Sequence, residues 1–133
     1  MKNFAGAEKD FRRFTLWAPK EWAGYNDLAW ILASEKKYQE AKAVIESAMK
    51  EAPSADKNPW LWNSLGVAEL NLQEFKNAEK SFTKAGILAE KLTLEDWRKA
   101  YPGNNPVEAE RGLLAFKKAI EENLRRSSVD KGL

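Results

Sequence analysis

The sequence contains no cysteine and no histidine. The first absence removes disulfides and thiolate metal ligands, and the second removes the commonest general base. Together they exclude the usual zinc ligand sets. Redox compartment cannot be read from a chain without cysteine. Proline and glycine are scarce, at five and seven among 133 residues, too few for a loop-rich β protein. No stretch approaches the ~18 apolar residues that a membrane span requires. The start, MKNFAGAEKDF, lacks the apolar run of a secretory signal. The compartment stays open, with the cytoplasm slightly favoured, and a longer parent chain could carry either feature. A charge excess is missing as well: 22 basic and 20 acidic residues leave a net +2. That balance supplies no global field to select nucleic acid or an anionic membrane. The first twenty residues lean basic, with Lys2, Lys9, Arg12, Arg13 and Lys20 against Glu8 and Asp10, an excess that suits a solvated face.

What is present is the balance of one folded domain, with 44% hydrophobic and 32% charged residues. An internal repeat organises it. Tyr25, Leu28, Ala29, Tyr38, Ala41, Ile45 and Ala48 return as Trp62, Leu65, Gly66, Phe75, Ala78, Phe82 and Ala85, each 37 residues on and without a gap. Small residues at Ala29, Gly66, Ala41, Ala78, Ala48 and Ala85 let two antiparallel helices approach closely. Large ones at Tyr25, Leu28, Trp62, Leu65, Ile45 and Phe82 fill the space between successive pairs. Core packing is their expected role.

This order of large, Leu, small, aromatic, Ala, large and Ala resembles the tetratricopeptide repeat, whose period is about 34 residues. The three extra residues fall within 53–59, where a loop can absorb them, and Pro53 stands where the family ends a unit; the second copy has Glu90 there. The resemblance implies an all-α, right-handed solenoid of helical hairpins. The expected organisation is an N-terminal helix and connection over 1–19, a repeat domain over 20–126 and a flexible tail over 127–133. Its repeats lie near 22–55, 59–92 and, in degenerate form, 93–126.

Local signals place the helices. Pro19 can open one over 20–34, followed by 38–52, and Asn58-Pro59 supplies an N-cap and N1 proline for 59–72. A fourth spans 75–91, prolonged because the unit-ending proline is missing. In the third unit Gly112, Phe116 and Ala119 follow Ala78, Phe82 and Ala85 by 34 residues, but Asp96 and Lys99 stand where large apolar residues belong. Thr93 and Asp96 resemble a capping box that opens a short helix through Tyr101. Asn105-Pro106 then starts a long capping helix to about Arg126. At the front, Phe4, Ala7, Phe11 and Phe14 recur at helical spacing, so an extra helix near 3–14 is expected to pack on the first pair, the alternative being a detachable partner-binding helix, with Trp17 as an anchor in the connection.

Chemistry is sparse. Acidic residues sit in mixed Glu/Lys stretches typical of solvated faces, Gly103 and Gly112 are isolated and form no phosphate loop, and no calcium-loop spacing occurs. No catalytic residue, cofactor or metal is expected. The family resemblance instead implies a concave groove lined by the first helix of each unit, which binds a peptide or protein partner. Carried over by register, the groove residues are Ala23, Asn26, Trp30, Ala33 and Ser34, then Trp60, Asn63, Val67, Leu70 and Asn71. The paired Asn26 and Asn63 suit a peptide backbone, which both donates and accepts, and tryptophan is enriched at binding hot spots. Against this, the N-terminal or final helix could fold over these residues and make them core. Asp27 and Ser64 stand where carboxylate-clamp repeats carry Asn, and Asp27 would repel a C-terminal carboxylate. Two other classes stay open: a structural adaptor of a larger membrane-associated or secretion-related assembly, and a single-strand nucleic-acid binder. The groove candidates include no Lys or Arg, which argues against nucleic acid as partner. Homodimerisation is possible, and no membrane insertion is expected of this chain.

Overall fold

The structure, a computed structural model, describes residues 4–129. Within them the chain forms seven α-helices and a short 3-10 turn, with no strand. The helices are α1 (Phe4–Trp17), α2 (Trp22–Ser34), α3 (Tyr38–Glu51), α4 (Pro59–Asn71), α5 (Phe75–Glu90), α6 (Leu94–Ala100) and α7 (Pro106–Val129), and the 3-10 turn is Ala55–Lys57. Each of the first five packs on its neighbour in sequence. α5 is then covered by the long α7, while the short α6 rests mainly on α7. The architecture is a helical-hairpin solenoid with an extra front helix and a capping back helix.

The two full repeats agree down to the backbone. Lys36 and Gln73, 37 residues apart, both turn with φ of 63°. In both turns the next N–H returns to a carbonyl five residues back: Lys37 to Leu32 at 2.8 Å and Glu74 to Glu69 at 2.9 Å. Those bonds give a second backbone donor to a carbonyl in the last turn of each helix. Leu65, Gly66, Ala78 and Phe82 are buried, as the register requires. A Cβ placed on Gly66 would lie 2.5 Å from the Phe82 ring, so α4 and α5 touch where glycine removes the side chain.

Capping chemistry sets several starts. Asn58 Oδ1 accepts from Leu61 N–H at 3.1 Å, with Pro59 just inside α4. Thr93 and Asp96 form a reciprocal capping box at 3.1 and 2.9 Å. Asn105 and Glu108 make the same exchange at the start of α7. Between α3, α4 and α5, Lys42 Nζ pairs with Glu74 at 2.5 Å and lies 3.4 Å from buried Glu69. The Ser81 hydroxyl donates to Glu69 at 2.5 Å, and burial still pushes the Glu69 carboxyl above its ordinary value.

Four expectations need correction. Pro19 does not open α2, which starts at Trp22. Pro19 lies in the preceding turn, where its carbonyl accepts the Tyr25 hydroxyl at 2.7 Å. Trp17 is no anchor: it ends α1 and is 80% exposed. In the third unit Ala119 is exposed and Ile120 takes the core position, because α7 is one continuous helix whose buried face runs through Ala109, Leu113 and Ile120. The apolar residue missing from Asp96 and Lys99 is supplied by buried Trp97 between them, against Gly112, whose Cβ would meet its ring at 2.7 Å. Finally, α7 continues through the start of the expected tail. Ser127 is buried, and Ser128 donates to Glu79 at 2.9 Å. The rest of that tail, 130–133, lies outside the described residues.

α1 docks on α2 through Phe11, which packs on the first core cluster, and Phe14, which faces Gly24. Deleting residues 1–17 uncovers Gly24 and Tyr25 and should produce dimers or aggregates with a lower melting temperature, read by light scattering and circular dichroism. An unchanged monomer with unchanged melting would contradict this docking.

Charged pairs add to the α1 contact. Glu8 accepts from Arg12 at 2.9 Å and from Lys37 at 3.1 Å, and Arg12 reaches Glu40 at 3.3 Å. Hydrogen bonds from Arg12 and then Lys37 hold the Glu8 carboxyl down to about 2, against an ordinary 4.5. A depressed carboxylate stabilises the fold above its unfolded pKa, and this is lost as pH falls through the folded one. The melting-temperature gap between the wild type and Glu8→Gln should therefore narrow as pH falls from 4.5 toward about 2. A gap independent of pH would contradict the pairing.

Candidate functional site

α2 and α4, the first helices of the two full repeats, lie against each other and line a groove of about 330 Å³. Trp30, Ala33 and Ser34 come from α2, Asn63, Val67 and Asn71 from α4, with Ala29, Tyr38 and Ser64 completing the lining. The small side chains Ala29 and Ala33 leave the space. Trp30 stands beside it at 66% exposed, so neither α1 nor α7 covers that ring.

Of the residues expected from sequence, Trp30, Ala33, Ser34, Asn63, Val67 and Asn71 are brought together here. Asn26, Leu70 and Trp60 are not among the lining residues. Asn26 is half-buried next to the groove, where its Oδ1 accepts the Ser64 hydroxyl at 2.6 Å. Leu70 is half-buried, and Ala23 is exposed outside the groove.

Trp60 is the clearest departure. Its ring is sandwiched between Trp22, at 5.3 Å and 24°, and Phe116, at 5.5 Å and 15°. Trp97 approaches at 6.0 Å and in turn packs on Tyr101 at 4.5 Å and Phe116 at 5.7 Å. The Trp97 Nε1–H donates to Asn104 Oδ1 at 3.2 Å. Both faces of Trp60 are occupied, so the residue joins α2, α4, α6 and α7 and offers no platform to a ligand. A cluster worth about 0.5–1.5 kcal/mol per ring pair beyond area burial is a structural device.

Three groove residues were missed from sequence. Ala29 packs in the core as its register implies, yet it also forms part of the groove lining. Ser64 lies next to Asn63 in α4, and Tyr38 opens α3; only the repeat equivalence of Tyr38 with Phe75 could have drawn attention to it.

The polar groups at the groove are partly committed to their own fold. Ser34 donates to the Trp30 carbonyl at 2.9 Å, and Asn71 Nδ2 to the Val67 carbonyl at 2.8 Å. Asn63 Oδ1 accepts from Asn123 Nδ2 of α7 at 3.1 Å, so the capping helix reaches one edge of the groove. No Lys or Arg lines it. The arrangement can enclose apolar surface and exchange a few amide or hydroxyl hydrogen bonds, with little electrostatic selection. Among the described residues no group of three or more Asp or Glu is placed to hold a metal ion, and no helix is long and apolar enough to cross a membrane.

Residues 23–54 match the family model described as tetratricopeptide repeat. No curated protein and no solved structure matches the chain. The matched segment covers α2, the turn at Lys36 and α3, and α4 with α5 repeats it 37 residues later with the same turn. The tetratricopeptide repeat matched at residues 23–54 supports a generic protein-interaction module.

Proposed function

We propose that the chain is a non-enzymatic adaptor that takes an extended peptide segment of a partner protein into the groove between α2 and α4. One observation carries this reading: Trp30, a large aromatic, stands 66% exposed beside a groove lined with alanine, serine, valine and asparagine. Aromatic anchors near a well-formed concavity dominate binding energy in protein interfaces, and polar neighbours serve register. Asn63 and Asn71 provide amide groups that can meet a peptide backbone. With no lysine or arginine in the lining, affinity comes from apolar contact and hydrogen bonding, and it should change little with salt.

The test is selection from a random peptide display library on the immobilised chain. Enriched peptides should bind the wild type and Trp17→Ala alike and bind Trp30→Ala weakly. Trp17 is the fitting control because it too is exposed and lies on α1, which contributes no residue to the groove lining. No enrichment, or equal loss in both variants, would overturn the reading.

A further inference from the structure

A second and larger concavity, about 870 Å³, shares no residue with the groove. It lies between the 53–58 connection with the start of α4, the last turns of α5, and α6, with Trp22 also in its lining. Its charge is one-sided. Lys57, Lys84, Lys91 and Lys99 line it, and the one acidic lining residue is Asp96. Asp96 is already committed, since its carboxylate caps α6 through the Thr93 N–H at 2.9 Å and is held below its ordinary value by that bond. Lys99 has a loose partner, Glu95, at 3.7 Å. Lys57, Lys84 and Lys91 have no ion pair among the described residues. The overall +2 of the chain hides this local excess.

The simplest role for such lysines is solvation, and Lys91 also suits the negative end of the α5 dipole. That role does not account for their convergence on one cleft with a partly apolar floor of Leu88 and Leu92. We propose that this cleft docks an acidic peptide segment of a partner protein, independently of the groove.

The spacing selects the ligand. Lys84 and Lys91 are two helical turns apart, so their stems stand roughly 10 Å apart along α5. A single phosphate needs donors converging on one point, whereas an extended peptide covers roughly 10 Å in three residues. Lysines on flexible stems suit a run of carboxylates, which demands charge and not a rigid fork. Single-stranded nucleic acid carries spaced charges too, but it also requires open aromatic faces for its bases. The cleft's aromatics are Trp22 and Trp60, and Trp60 has both faces covered while Trp22 gives one face to Trp60. The cleft therefore offers charge with at most one open aromatic face, that of Trp22, where a strand of bases needs successive platforms.

The test uses the full chain, a fluorescein-labelled oligoglutamate peptide and anisotropy at low salt. Lys84→Glu/Lys91→Glu should weaken binding at least tenfold, with unchanged helicity because both side chains are exposed, and with only a small fall in melting temperature from the acidic residue at the α5 C-terminus. Lys9→Glu/Arg13→Glu applies the same charge change on α1 and should leave most of the affinity, as should Trp30→Ala. Affinity should fall steeply with added salt. Absence of binding at low salt would overturn the proposal, and so would equal weakening by both charge-reversal pairs. Tighter binding of oligothymidylate than of oligoglutamate, lost in the Lys84/Lys91 variant, would overturn it in favour of nucleic acid.

Discussion

Replacing Phe82 with alanine should cost the fold about 3–5 kcal/mol. The ring is 0% exposed and lies at the closest contact between α4 and α5, against the missing side chain of Gly66. Its removal leaves a cavity that two helices held by their own backbone bonds cannot collapse to fill. For a domain with a total stability of about 5–15 kcal/mol, that is a large fraction. The reciprocal change, Gly66→Leu, overpacks the same place and should cost about 1–3 kcal/mol. The two together should cost less than their sum, because the new leucine occupies space the phenylalanine left. Urea melts of the single and double variants measure this directly. Strict additivity, or wild-type stability in either single variant, would mean that the two residues do not meet and that the repeat register is wrong.

Replacing Trp30 with alanine should act on binding and spare the fold. A hot-spot tryptophan contributes about 2 kcal/mol or more, which is roughly a thirtyfold loss of affinity for a groove-selected peptide. Stability should move by no more than about 0.5 kcal/mol, as expected of an exposed site outside the packed contacts. The pairing of results is what matters. Substantial destabilisation with no loss of affinity would make Trp30 a structural residue, and the interaction surface would then have to be sought elsewhere, first at 101–106 and on the outer helices.

The parts of this fold legible in the sequence are those governed by short-range rules. Asn58-Pro59, Thr93 with Asp96, and Asn105-Pro106 announce helix starts because capping involves residues three apart in the chain. The repeat register was legible because Gly66 and Phe82 recur in the place of Ala29 and Ile45, and geometry repeats with them. Trp60 was misplaced for the opposite reason. Its position depends on Trp22 and Phe116, contributed by distant elements, and no periodicity in α4 encodes that sandwich. Asn63 carried a similar non-local surprise in Asn123, on a helix that only tertiary packing brings within 3.1 Å. In the third unit, a 34-residue offset led to Asp96 and Lys99, whereas Trp97 follows Trp60 by the 37-residue offset of the first two units. Pro19 illustrates the weakness of single-residue signals: a proline can open a helix or sit in the turn before it, and the Tyr25 hydroxyl bond favours the turn.

The groove reading is tested most directly by an amide and indole chemical-shift map of the chain titrated with a library-selected peptide. The expected result is that the largest changes fall on the Trp30 indole and on Asn63, Val67 and Asn71, with Lys84 and Lys91 silent. Changes confined to the outer faces of α3 and α5, with Trp30 unmoved, would contradict it.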